Sequence, residues 1–393
     1  MNLITADCIF PGDGSVLENK ILEYKTDGTI AALHDSNSIP EDLVERYRGA
    51  LVPGFINTHC HLELSHMKGL VETGTSLLPF LKKVVQFRDF PQEVIEQAIR
   101  DGDWEMYNNG IVAVGDISNK ADTALVKSDS PMDYYTFVEM FDFMQDALTE
   151  STIENYSSVF NKQSNQGNNK KSIVPHAPYT VSRALFSYIN KNNEPSATVS
   201  IHNQETPEEN AFFVSKAGGF IPFYESFGFT LDQFAATGSR SIHYTLENMN
   251  PEHKTIFVHN TTCIDLDIDA AHTWSKKVYW ASCPNANLYI ENRLPNYQLF
   301  LDKDAKVTLG TDSLTSNWQL NIASEMLSIQ KYASYVPLSR LTQWACLNGA
   351  EALGYEDRLG SFQTGKKPGI NLIQVEKVKD DYRLKNDIVK KIV

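Results

Sequence analysis

Cysteine is scarce and unpatterned in this chain. The five residues, Cys8, Cys60, Cys263, Cys283 and Cys346, are odd in number and include no Cys-x-x-Cys pair. That argues against a disulfide framework or a thiolate zinc cluster and fits reduced thiols in a cytoplasmic protein. Cys283-Pro284 also lacks the second cysteine that the zinc nucleobase deaminases with a Pro-Cys-x-x-Cys motif require. Long apolar runs are missing: no stretch approaches the ~20 residues of a membrane span. The segment Met1-Asn-Leu-Ile-Thr-Ala-Asp-Cys8 has neither the basic start nor the apolar core of a signal peptide. No membrane partner is therefore expected. Positive charge is in deficit, with 35 Lys and Arg against 49 Asp and Glu and a formal net charge of −14. Broad contact with a phosphate backbone is excluded, and nucleic acid with it, although a small anion in a locally basic pocket is not. No Gly-x-Gly-x-x-Gly follows any strand-like run, which counts against a doubly wound dinucleotide fold.

What remains is an ordinary globular composition, 42% hydrophobic and 21% charged over 393 residues, enough for one large domain and a small one. Residues 1 to about 50 read as short strands separated by turns such as Pro11-Gly-Asp-Gly14. The rhythm then changes. Strand-like runs recur at 51–59, 111–117, 134–140, 172–176, 198–202, 255–259, 277–281 and 306–311, with amphipathic helical patterns between many of them, as at 92–109 and 320–335. Eight alternating units are what an α/β fold of the closed (β/α)₈ TIM-barrel type requires. A last helix over 341–353 ends at Gly354, and the strand 371–375 is expected to return to the N-terminal sheet. The expected division is a composite β-sandwich from 1–50 and 355–393, with the barrel over 51–354. The polar segment 161–171 reads as a surface loop.

His59 and His61 alternate at the end of the first barrel run. Residues two apart on a strand share a face, so both imidazoles project towards one point, while Cys60 faces the packing. His202, His259 and Asp312 close later runs. Barrel sites gather at the C-terminal ends of strands. His59, His61, His202 and Asp312 are accordingly expected to hold one divalent metal, zinc first and iron(II) second, which would bring the pKa of water to ~7. Glu205 follows His202 by three residues, where a carboxylate can shuttle protons to a substrate. His259 would orient the attacking water, and His176, in Pro175-His-Ala-Pro-Tyr-Thr180, is a candidate hydrogen-bond donor to substrate. The Asn residues of Ser282-Cys-Pro-Asn-Ala-Asn287 and the strand-end Asp116 read as structural.

The series Pro-Gly-Phe-Ile-Asn-Thr-His-Cys-His61, His-Ala-Pro-Tyr-Thr180, His-Asn-Gln-Glu-Thr206, Ser-Cys-Pro-Asn-Ala-Asn287 and Leu-Gly-Thr-Asp-Ser313 resembles the amidohydrolase superfamily. The similarity is to its branch of cytosine, guanine and adenosine-type deaminases and triazine chlorohydrolases, and it runs in order along nearly the whole chain. It implies metal ligands at His59, His61, His202 and Asp312, a proton-shuttling acid at Glu205, a water-contacting histidine at His259 and a substrate-binding histidine at His176. Gln204 and Ser313 depart from the pattern, standing where small residues are common. The stretch His61-Leu-Glu-Leu-Ser65 with Gly69 and Arg88 is similar to aminodeoxyfutalosine deaminases of a menaquinone route. That resemblance implies hydrolysis of the 6-amino group of an adenine nucleoside carrying a benzoate, for which Arg88 and Arg240 are candidate carboxylate clamps. The alternatives are deamination of a methylthioadenosine or S-adenosylhomocysteine type of nucleoside, of guanine or of cytosine, or halide removal from a triazine. A non-catalytic scaffold of the same fold is the reading from another class. The expected partners are a small substrate and water, and a homo-oligomer is admissible.

Overall fold

The computed structural model describes residues 1–393. Its barrel strands are β1 (Phe55–Cys60), β2 (Ile111–Ser118), β3 (Asp133–Met140), β4 (Lys170–Pro175), β5 (Thr198–Asn203), β6 (Lys254–His259), β7 (Val278–Ser282) and β8 (Val307–Leu309). They form two four-stranded parallel sheets, β1 to β4 and β5 to β8, each in sequence order. Two seams close the ring. At one, the His202 N–H donates to the His176 carbonyl at 2.9 Å; at the other, the N–H groups of Thr311 and Asp312 both donate to the His59 carbonyl at 3.0 Å. Gly310 makes the second seam close, because a Cβ there would lie 2.8 Å from His59 Cβ and 3.0 Å from Cys283 Sγ. Inward and outward faces alike are buried, as the near-continuous apolar runs of a helix-covered parallel sheet require.

The long first run divides where its hydrophobicity gives no sign of it. Ala50–Pro53 pairs antiparallel with Ile370–Ile373 outside the barrel, and only after Gly54 does the chain enter β1. Two further four-stranded sheets, built from both ends of the chain, form the β-sandwich. Nine buried residues, among them Ile4, Leu22, Leu51, Phe362 and Ile370, make its own core. Its last strand, Asp381–Lys391, docks on the helix Ile322–Tyr332, where Gln330 exchanges hydrogen bonds with the backbone of Leu384. The final helical stretch begins at Leu338, earlier than the sequence suggests, widens to a π turn over Trp344–Asn348 and stops at Gly354 with φ of 70°. No helix is long and apolar enough to cross a membrane.

Asp116 is structural. Its carboxylate lies 2.5 Å from Lys127 Nζ, both side chains being almost wholly buried, and its Oδ1 accepts from the Leu62 N–H that follows His61. Asp116→Ala would leave the Lys127 ammonium uncompensated in the core, which typically costs about 3–5 kcal/mol. Denaturant unfolding should show that loss as a lower midpoint; an unfolding free energy within about 1 kcal/mol of the parent would contradict it.

Candidate active site

Strand ends build the site. β1 delivers His59 and His61, β5 His202, β6 His259, and the turn after β8 Asp312. Gln204, His259 and Asp312 all adopt positive φ, 48°, 74° and 57°. Such non-glycine conformations cost on the order of 1–3 kcal/mol each and persist where surrounding structure enforces them. Here they turn the chain sharply as it leaves β5, β6 and β8.

Three imidazoles converge. His61 Nε2 lies 3.2 Å from His59 Nε2 and 3.3 Å from His202 Nε2. Asp312 Oδ1 is 3.6 Å from His59 Nε2 and 3.5 Å from His61 Nε2, while its Oδ2 accepts from the Ser316 hydroxyl at 2.6 Å. His202 Nδ1 donates to the His176 carbonyl at 2.8 Å, which leaves the Nε2 lone pair facing the cluster. Burial first, then the neighbouring imidazoles, lower His61 to about 3 and hold His202 well below the usual histidine range, so both are neutral donors. Asp312 is held below the usual carboxylate range: burial opposes its ionisation, and the hydrogen bond with His59 and the facing histidines outweigh it. Crowded nitrogen lone pairs beside an ionised carboxylate fit a divalent metal ion, and His59, His61 and His202 form a group able to hold one.

Glu205 sits on the turn before the helix Pro207–Ser215, not within it. The carboxylate of Glu209 accepts from the N–H groups of Gln204 at 2.9 Å and Glu205 at 3.3 Å and so pins that turn. Burial, then the charges of Asp312, Glu291 and Glu209, push the Glu205 carboxyl well above its ordinary range, which favours its protonated form. His259 Nε2 is 3.7 Å from Glu205 Oε2, and its Nδ1 is fixed by Asn287 Oδ1 at 2.8 Å. Asn285 instead holds Glu325, so the loop after β7 is a support.

These groups floor a cavity of about 330 Å³ whose outer wall is apolar, with Leu77, Phe80, Leu81 and Val84 from the helix Leu77–Phe87 facing Phe143 and Phe223. His61, His176, His202, Glu205, His259 and Asp312 all line it, as do Arg88 and Ser313. Arg240 does not. Its guanidinium is spent on Asp267, at 2.8 and 3.1 Å, and on the Thr262 carbonyl, so the structure keeps this expected clamp away from the cavity. Gln204 likewise turns outward, to Asp267 at 3.0 Å, and does not narrow the floor. His176 lines the cavity with its Nδ1 tied to Thr180 Oγ1 at 2.9 Å, which leaves Nε2 for a substrate.

Two polar wall residues escape a reading of the sequence. Glu139 and Asn119 sit within or just after strands that scan as apolar core, and a lone carboxylate in such a run carries no spacing signal. Asn119 Nδ2 donates to Glu139 Oε2, and Glu63 Oε2 accepts from the N–H groups of Asn119 and Lys120.

The chain belongs to the amidohydrolase family, whose profile matches residues 50–391. It is similar to an adenosine deaminase of Helicobacter pylori, 24% identical over 329 residues that cover 82% of this chain and 78% of the relative. It is also similar to the aminodeoxyfutalosine deaminase of Nitratiruptor sp., 25% identical over 375 residues, 91% and 84% of the two chains. Its fold resembles the crystal structure of Helicobacter pylori aminofutalosine deaminase in complex with methylthio-coformycin, with a TM-score of 0.76, 21% identity and coverage of 96% and 93%.

Proposed function

We propose that this protein is a metal-dependent hydrolytic deaminase of an aminopurine nucleoside. The observation that carries the reading is the convergence of His59, His61 and His202 on the Asp312 carboxylate at the floor of a cavity that the buried Glu205 and His259 also line. The names of the similar enzymes point to the same substrate class. His59, His61, His202 and Asp312 would hold the metal, whose contribution is to make water nucleophilic near neutral pH, with zinc the best match to this donor set. Asp312 takes the proton that water gives up, and His259 orients that water. Glu205 donates its proton to the ring nitrogen, so that the amidine carbon accepts the new C–O bond. Asp312 passes the proton it took to the amino group, which leaves as ammonia as the C–N bond breaks; the hydroxyl proton passes to Glu205 as the carbonyl forms, so both carboxyl groups return to their starting states. Ammonia release measured over adenine nucleosides, guanine, cytosine and triazines tests this. Turnover confined to guanine or to a chloro-triazine would reject the substrate class.

The finer reading is a nucleoside with a carboxylate-bearing extension, 6-amino-6-deoxyfutalosine of a menaquinone route being the candidate. Arg88 supports it by lining the cavity, with Glu63 Oε1 3.9 Å away to steady the guanidinium. Arg88→Ala should raise KM for the anionic nucleoside roughly 10–100-fold, the worth of one charge-assisted contact, and leave adenosine almost unchanged. Equal effects on both substrates in steady-state assays would reject the clamp.

A further inference from the structure

The loop that leaves β3 is bent against the preference of its own residues. Phe143 and Met144 are consecutive non-glycine residues at positive φ, 55° and 57°. Bulky side chains rarely adopt that conformation, and it persists only where the surroundings enforce it. Asp142, fully buried, does so. Its Oδ1 accepts from the N–H groups of Met144 at 3.2 Å and Ser182 at 2.8 Å, and its Oδ2 from the Thr149 hydroxyl at 2.9 Å. Gln145 Nε2 donates to the carbonyls of Phe143 at 3.1 Å and Thr230 at 2.8 Å, which ties the bend to a distant segment.

What the bend delivers is a flat apolar wall. Phe143 lines the cavity, and Phe229 stacks on its ring with centroids 4.7 Å apart and planes 19° apart. Phe141, also in the lining, meets the Phe143 ring edge-on at 5.2 Å. The helix Leu77–Phe87 adds Leu77, Leu81 and Val84, spaced i, i+4 and i+7 along one face. That apolar lane runs about 10 Å, and Arg88 follows Val84 by one further turn of about 6 Å. In the deaminase reading the amino-bearing carbon lies at the floor, beside Glu205, His259 and Asp312. The glycosidic nitrogen is at the opposite end of a purine, so the sugar and its 5′ carbon point to this wall. A hydroxyl there would lose water and gain no partner, whereas an apolar group gains burial and an arene gains ring contacts as well.

We propose that Phe143 is a specificity-determining residue and that the group it selects is a flat apolar substituent, an arene, on the 5′ carbon of the nucleoside. The inference rests on the nucleoside reading and deepens it. It needs no charge on the substrate and is therefore separate from the Arg88 clamp, which a longer extension would reach only past the apolar lane.

Neutral probes test it on the metal-loaded wild-type enzyme. kcat/KM for 5′-phenylthio-5′-deoxyadenosine should exceed that for adenosine by roughly 10–100-fold, mostly through KM, with 5′-methylthio-5′-deoxyadenosine between them, since one buried methylene is worth about fourfold. In Phe143→Ala the preference for phenylthio over methylthio should fall to within about threefold, and in Phe143→Tyr, which keeps the ring, it should survive. Equal wild-type kcat/KM for adenosine and the phenylthio nucleoside overturns the slot and leaves the deaminase reading standing, a result that depends on no variant folding. A Phe143→Ala protein that keeps the full phenylthio preference overturns the role of Phe143. Absence of turnover on every adenine nucleoside rejects the deaminase reading and this inference with it.

Discussion

Glu205→Gln is expected to lower turnover ~10²–10⁴-fold, the usual contribution of a positioned general acid–base group, while metal content stays at the wild-type level. The amide is nearly isosteric and can still be held by the turn that Glu209 caps. It cannot, however, give up and regain a proton. Burial favours the protonated form of the wild-type carboxyl, and 3.7 Å separates it from His259 Nε2, so in the amide the relay is lost and the cavity is kept. Elemental analysis beside steady-state kinetics checks both halves. If metal and activity fell together, Glu205 would be a ligand and the proton-shuttle role would be wrong.

Exhaustive chelation should bring turnover to background, and back-titration with Zn²⁺ should restore it at one equivalent per chain. The ligand set proposed for the metal, His59, His61, His202 and Asp312, accounts for one ion, and His202 has no free lone pair left to share with a second. The same experiment has a readout apart from activity. A ligand that binds only the folded state adds about 4 kcal/mol at a thousandfold excess over its Kd, so Tm should fall on chelation and recover on loading. Full activity after chelation, or saturation at two ions per chain, would sink the mononuclear site.

Much of this site was legible before any coordinates. His59 and His61 announce themselves because a strand repeats every two residues, so the pair must share a face. His202, His259 and Asp312 each close a β-branched or aromatic run, and in a parallel barrel every such end lies at one mouth. The break at Gly54 was not legible. Leu51 to His59 reads as one apolar strand, and only pairing with Ile370–Ile373 shows that its first half serves the sandwich. Arg240 shows the reverse failure. It is 27 residues from Asp267 in sequence, so nothing local says that its charge is already spent.

The sequence by itself determined the barrel, the sandwich contributed by both chain ends, and the identity of the histidines and the aspartate that converge at the strand ends, since periodicity and residue chemistry are local properties. Only the tertiary structure decided which polar groups face the cavity and in which hydrogen-bonding state. Glu139 and Asn119 joined the cavity wall, and Arg88 is the one of two arginines that reaches the cavity. Those outcomes depend on partners far apart in the chain, and on burial, which no window of residues encodes.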